Sequence, residues 1–439
     1  MKILEILKRF RIYIENYLWI IFGYTLRFLT IIFIVSKIAN KIGLEDFGWY
    51  NLGISFFTIL VTISALGFNP SFIIKYLADN HDDEDGQKSV LGTFLISRIL
   101  VSFLILSFLA IWIYFSGVEN KYWIVLIATI SILFQTSEVL FAYFQWKLKA
   151  NIYVSVTAIS VTITAIFLII GLYLNLGVYY FMSIYAVEKT LIFIGILLVF
   201  NKKVFNISTL KFKSDLLIKL LYQSWPLMLG GLLTALYSRF DQFLVKYYLN
   251  IDELGIYGTS VILSSIWYVI PSLIVPVLYP KIVELKKENN DDKYAKTLTL
   301  LYGILNYAAI LVIVFTLLFG EFIVIELYGE KYAQSIPILY ILIFNQIILF
   351  QSHLTTSVLI LEEREKHLFK VKLVSVISNV VLNILFLANF GVIYAAISLI
   401  ISAFISWIVL SFFDKTMFRL LKLNLKSFLL PFYLKKIKI

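Results

Sequence analysis

Residues 89–115 read SVLGTFLISRILVSFLILSFLAIWIYF, with one charged side chain, Arg98, in 27 positions. As an α-helix such a segment is about 40 Å long, enough to cross about 30 Å of hydrocarbon. In lipid only a helix or a closed barrel satisfies its own backbone polar groups. The segment therefore reads as a transmembrane helix, and Arg98 as a charge inside it.

Outward from that stretch, comparable apolar runs fall at roughly 14–39, 46–76, 122–146, 151–174, 177–200, 217–249, 254–283, 295–319, 334–361, 368–389 and 391–413, which with 89–115 makes twelve spans. The turns at 175–177 (NLG) and 389–391 (NFG) are the tightest separations. Composition agrees: 61% of the 439 residues are hydrophobic and 15% charged, more apolar surface than a water-soluble core can hide. The predicted class is an all-α polytopic membrane protein. The first run is too long for a signal-peptide core and lacks a small-residue cleavage pattern, so it stays as a span. There is no cysteine, hence no disulfide framework and no thiolate metal site, and the sequence calls for no cofactor. The net charge of +11 lies in short loops between apolar runs, which points to anionic lipid headgroups and not to nucleic acid.

Orientation follows from lysine and arginine alone. With the N-terminus cytoplasmic, the inside segments carry 29 of the 38 basic residues, and the outside loops carry five: Lys37, Lys41, Lys121, Lys246 and Lys331. Both termini are then inside. The acidic run at 79–85 (DNHDDED) lies on the inside, but acidic residues weigh little in this rule. With His81 it has the composition of a metal site. Flexible carboxylates without fixed spacing read as a solvated turn, and no metal is expected.

The chain also repeats. LEDFGWY at 44–50 and IDELGIY at 251–257 each open a long span, and prolines follow each: Pro70 in the first half, Pro271, Pro276 and Pro280 in the second. Six spans plus six give an N-terminal lobe at 1–200, a cytoplasmic linker at 201–216, a C-terminal lobe at 217–416 and a basic tail at 417–439. The tail reads as an interfacial amphipathic helix, because Pro431 breaks its longest apolar run and Arg419, Lys422, Lys426, Lys435, Lys436 and Lys438 suit anionic headgroups. Transporters built from such repeats place their substrate between them near mid-membrane.

Residues 42–79 (IGLEDFGWYNLGISFFTILVTISALGFNPSFIIKYLAD) and 224–282 (SWPLMLGGLL through VPVLYPKI) resemble the two half-openings of the Wzx-type O-antigen and capsule flippases. These belong to the multidrug/oligosaccharidyl-lipid/polysaccharide exporter superfamily. The resemblance runs over roughly the whole length. It implies two six-helix lobes around a central V-shaped cavity, alternating access, and residence in a bacterial cytoplasmic membrane. It also implies an undecaprenyl-pyrophosphate-linked oligosaccharide as substrate, with a polysaccharide polymerase and a chain-length regulator as partners. No residue pattern reports the sugar.

Seven ionisable residues lie well within spans, away from their ends: Arg27, Arg98, Glu138, Glu188, Lys189, Arg239 and Asp241. Each charge near the bilayer centre costs about 2.5–3.5 kcal/mol on insertion scales. One reading pairs them: Arg239 with Asp241 or an acid on a neighbouring helix, Lys189 with Glu188, Arg98 with Glu138. Glu188 and Lys189 are about 100° apart on a helix, so at least one of them looks elsewhere. The other reading makes Arg27, Arg98, Lys189 and Arg239 a cationic path for pyrophosphate, with Glu138, Glu188 and Asp241 open to ion coupling. Guanidinium groups suit that task because they stay charged and fork onto phosphate oxygens. Arg27 is the strongest candidate, having no acid within a turn or two.

Three other functions compete. A multidrug or cation antiporter of the same superfamily calls for an acidic cavity. A membrane glycosyltransferase or polymerase calls for a sizeable extramembrane loop, and no loop here exceeds about twenty residues. A scaffold subunit leaves the intramembrane charges unexplained. The topology itself predicts that Lys202→Cys is shielded from impermeant thiol reagents in intact cells and labelled after permeabilisation; labelling before permeabilisation would overturn it.

Overall fold

A computed structural model describes residues 18–19, 21–23, 25–288 and 290–429; the basic N-terminal cluster of Lys2, Lys8, Arg9 and Arg11, and the tail residues Pro431, Lys435, Lys436 and Lys438, lie outside them. The described residues form helices and no strands. Among the described residues, eleven helices are long and apolar enough to cross a membrane: Ile21–Ser64, Glu84–Phe115, Tyr122–Trp146, Ala150–Tyr173, Val178–Lys203, Ser214–Tyr248, Ile251–Lys287, Asp291–Tyr328, Ser335–Leu361, Lys366–Phe390 and Ile393–Phe413. The difference from twelve lies in the first, whose 44 residues run to about 66 Å, roughly twice the hydrocarbon thickness. Gly43 (φ 87°, ψ 176°) breaks that helix where the sequence separates its first two spans.

Each repeat motif is a helix entry with a buried face. LEDFGWY follows the break at Gly43 and buries Phe47, Gly48, Trp49 and Tyr50. IDELGIY opens beneath the Asn250 cap, whose Oδ1 accepts from the Glu253 N–H at 2.8 Å, and buries Leu254, Gly255, Ile256 and Tyr257. In the first copy Glu45 and Asp46 hold Lys121, at 2.7 and 2.8 Å.

The second expected span ends early. It stops at Ser64 and not near residue 76, because Leu66 (φ 55°) and Gly67 (φ 76°) turn the chain. Pro70 then sits at the first position of a separate short helix, Pro70–Asp79, capped by Asn69. Pro276 and Pro280, by contrast, lie inside a continuous helix, Val269–Lys287.

The chain divides into two compact units, Met1–Arg239 and Phe240–Ile439. In the first, the turn at 65–69 locks onto Ser214–Tyr248: the Ser224 hydroxyl donates to the Leu66 carbonyl at 2.8 Å, and Tyr76 donates to Gln223 at 2.6 Å. Phe68, Phe72, Ile73, Phe94, Leu140 and Phe200 fill the core beside it. The acidic run is exposed at residues 81–85 and partly paired, Glu84 with Lys88 at 2.5 Å and Asp85 with Lys211 at 3.0 Å. Lys211 and Lys213 also donate backbone N–H groups to the Lys88 carbonyl and the Thr93 hydroxyl, so the basic linker lies along the start of Glu84–Phe115.

In the second unit, Asp291–Tyr328 and Ser335–Leu361 share an apolar core that includes Leu298, Tyr302, Leu305, Phe350 and Leu354. Helix Lys415–Ser427 buries Met417, Leu420 and Leu421, while Arg419 reaches Glu362 at 2.5 Å. A buried polar triangle adds to this: Asn306 donates to Asn424 at 2.9 Å, Gln351 donates to Asn306 at 2.6 Å, and Asn424 donates to Gln351.

A Cβ added at Gly67 would stand 2.4 Å from the Ser224 carbonyl oxygen and 2.8 Å from the Met228 nitrogen, both backbone, in a conformation that L residues rarely adopt. Gly67→Ala is therefore expected to destabilise by more than the about 1–2 kcal/mol of the left-handed conformation alone. Gly230→Ala, which meets nothing within 4 Å in mid-helix, is the neutral or mildly stabilising control. Thermal melting of the two variants in detergent checks this, and coincident midpoints would show that the turn yields.

Candidate functional site

Arg27 lies one turn before a π-helical stretch, Ile31–Val35, in the first helix. Such wide turns displace the side chains around them and cluster at functional sites. Here Arg27, Thr30, Ile31 and Val35 line a cavity of about 330 Å³ within the first unit. Across from them stand Tyr50, Gln135, Tyr185, Glu188 and Lys189, with Phe57 and Phe181 among the apolar lining.

The partner that the sequence did not reveal for Arg27 is Glu188. Its Oε1 accepts from Arg27 Nη2 at 2.5 Å, although 161 positions separate the two residues. The same oxygen accepts from Lys189 Nζ at 3.1 Å. Adjacency on the helix does not prevent this contact, because the four-carbon lysine stem carries its ammonium back around the turn. Glu188 does look elsewhere as well, toward Arg27, so one carboxylate serves two cations. The Lys189 ammonium also lies over the Tyr185 ring, 5.3 Å from its centroid. The Lys189 and Glu188 side chains are 8% and 14% exposed, whereas Arg27 is 45% exposed and opens on the cavity.

A second pair lies behind the wall. Arg98, fully buried, donates through Nη2 to Glu138 Oε2 at 3.1 Å. Its Nε and Nη1 have no hydrogen-bond partner among the described residues. Glu138 Oε1 accepts from Gln135 Nε2 at 2.7 Å. These contacts arise because the span Tyr122–Trp146 is broken at Thr136: Gln135 ends one helical segment and Glu138 lies in the first turn of the next. Arg98 and Glu138 thus reach the cavity through Gln135.

Arg239 and Asp241 are not among the residues that line the cavity. Asp241 is buried, accepts from the Tyr257 hydroxyl, and takes the Gln242 N–H on Oδ1 at 2.8 Å. The tyrosine of the second repeat motif is therefore one of its partners. Arg239 is half-buried on Ser214–Tyr248 and is not among the residues lining the cavity. Of the seven ionisable residues, the structure gathers five into two clusters, Arg27 and Lys189 on Glu188 and Arg98 on Glu138, three cations and two carboxylates with a formal excess of one positive charge. Attention to ionisable groups alone passed over Gln135, Tyr50 and Tyr185. The mid-span polar run QTSE at 135–138 was the available signal for the first.

The fold is shared with solved membrane transporters. An inward-facing multidrug resistance MATE family transporter superimposes with a TM-score of 0.71 at 13% identity, covering 95% of this chain and 96% of the other. The lipid II flippase MurJ, in an inward closed conformation, gives 0.69 at 15% identity, covering 97% and 94%. Residues 13–286 match the family profile described as polysaccharide biosynthesis protein, more than half of the chain, and the protein belongs to that family. The capsular polysaccharide biosynthesis protein CapF of Staphylococcus aureus is 21% identical over 406 residues, covering 88% of this chain and 95% of that protein.

The shared carboxylate makes an unequal prediction. Arg27→Gln leaves Glu188 with Lys189, whereas Glu188→Gln leaves two cations facing each other without an acid, a loss on the order of 3 kcal/mol in a buried setting. Glu188→Gln is expected to melt several degrees below both wild type and Arg27→Gln in detergent. Equal melting of the two variants would show that Lys189 does not compensate Glu188.

Proposed function

We propose that the protein is a flippase that moves undecaprenyl-pyrophosphate-linked oligosaccharide units from the cytoplasmic to the outer leaflet of a bacterial cytoplasmic membrane, by alternating access, with both termini inside. The observation that carries this reading is the cavity in which Arg27 and Lys189 share Glu188. A carboxylate shared by two cations satisfies neither fully, and a pyrophosphate, with more charge and more acceptor oxygens, completes both. Arg27 forks onto phosphate oxygens and Lys189 supplies a point charge. Arg239 lies on the same proposed path. The tyrosines and phenylalanines of the wall offer flat faces on which a sugar ring can stack. Membership of the polysaccharide biosynthesis family and the capsular relative support the same substrate class.

Carrying the anionic headgroup outward moves negative charge away from a negative interior, worth about 2.3 kcal/mol per charge per 100 mV. The membrane potential therefore suffices as a driving force, and coupling through Glu138, Glu188 or Asp241 is the alternative source. Export of hydrophobic cations, the task of a multidrug or cation antiporter, fits less well with a set of intramembrane charges whose formal excess is positive.

Deletion is expected to abolish surface glycan and to accumulate undecaprenyl-linked glycan facing the cytoplasm. Arg27→Gln, at normal abundance, is expected to reduce export about 10- to 100-fold, the cost of one charge-assisted hydrogen bond, with Arg27→Lys intermediate. Quantifying surface glycan and extracted lipid-linked intermediates in the deletion strain complemented with each variant checks both. Wild-type export from Arg27→Gln would remove the cation from the mechanism, and unchanged glycan in the deletion strain would overturn the flippase reading.

A further inference from the structure

The Arg98–Glu138 pair stands behind the cavity wall, and its geometry dictates what Gln135 presents. A carboxylate only accepts hydrogen bonds, and both oxygens of Glu138 are engaged: Oε2 by Arg98 at 3.1 Å, Oε1 by Gln135 Nε2 at 2.7 Å. The Gln135 amide must therefore turn its nitrogen toward Glu138. An isolated glutamine is free to flip end for end; this one is held with its nitrogen on Glu138 Oε1, while the guanidinium of the fully buried Arg98 holds the other carboxylate oxygen. Gln135 itself lines the cavity. With the nitrogen committed to Glu138, its carbonyl oxygen is the acceptor that the residue can offer a ligand.

A fixed carbonyl selects donors. Phosphate oxygens are acceptors and are repelled by it, while Arg27 and Lys189 attract them. A sugar hydroxyl donates and is welcomed. The cavity thus has a cationic side for the pyrophosphate and an acceptor for the hydroxyl-bearing group next to it. A volume of about 330 Å³ is that of a single small-ligand pocket, which suits the sugar nearest the pyrophosphate and not a whole repeat unit. Arg98, with two donors that find no partner among the described residues, is a poor device for stability alone. Its contact with Glu138 accounts for its place.

We propose that Gln135 reads a hydroxyl of the first sugar of the lipid-linked substrate, and that Arg98 is a positioning residue that acts on it through Glu138. This rests on the flippase reading above. The test uses the purified full chain in lipid nanodiscs, with undecaprenyl pyrophosphate and the same lipid carrying one glucose as probes, and binding followed by tryptophan fluorescence. Wild type is expected to favour the glucosylated lipid by about 3- to 10-fold, the range of one neutral hydrogen bond. Gln135→Met, of similar length but without the amide, is expected to bring that ratio close to one. Arg98→Gln should do the same, Arg98→Lys should retain part of the preference, and Arg98→Gln combined with Gln135→Met should lower the ratio no further than either alone. Should Arg98→Gln fail to accumulate, Glu138→Gln tests the same link. A preference unchanged in Gln135→Met, or an Arg98→Gln variant that weakens both lipids equally, overturns the proposal while leaving the flippase reading intact. Failure of wild type to bind either lipid removes the flippase reading, and this proposal with it.

Discussion

Charge inside hydrocarbon has to be answered by charge or by water, and in the first unit the answer is given by too few acids. Glu188 accepts Arg27 and Lys189 on one oxygen, and Glu138 accepts Arg98. Three cations on two carboxylates are thus paired and yet leave a formal excess of positive charge. A fully paired set would be a strut. A set of unpaired cations would cost about 2.5–3.5 kcal/mol for each charge on insertion. Much of the local structure serves this compromise: the π-helical turn beside Arg27, the break at Thr136 that lets Gln135 and Glu138 meet, and the lysine stem that folds back on Glu188.

The fold was legible because lipid imposes a crude rule. Apolar length announces a span, and the eleven long helices among the described residues follow the expected runs, the first two runs sharing one helix broken at Gly43. What composition could not express was where helices stop. Ser64 ends its helix through two positive φ angles at Leu66 and Gly67 in a stretch as apolar as its surroundings, so the run of hydrophobic residues continued past the real end. Gly43 acts in the opposite sense, breaking with one residue what hydrogen-bond continuity still joins.

The site was legible in its ingredients and not in its connections. Arg98 with Glu138 and Lys189 with Glu188 were pairs that the inventory of intramembrane charges already contained, since few acids were on offer. Arg27 with Glu188 was hidden because pairing across 161 positions depends on how helices pack, which periodicity within one helix does not encode. Neutral residues were harder still. Gln135 carries no charge to make it conspicuous in a span, and its importance lies in being held in one orientation by neighbours that only the tertiary structure identifies.

A network of this kind also divides labour between surface and depth. The exposed acid–base contacts at the ends of helices, Lys211 with Asp85 and Lys121 with Glu45 and Asp46, sit where water screens them, and each is worth little alone. They locate loops. The contacts at membrane depth are screened far less, so the same chemistry there has stronger effects on stability and on any anionic ligand that enters. On the proposed path Glu188 has to be weak enough as a partner to be displaced and strong enough to hold its cations when the cavity is empty, and one oxygen shared between Arg27 and Lys189 suits both demands: neither cation is fully neutralised, and neither is abandoned.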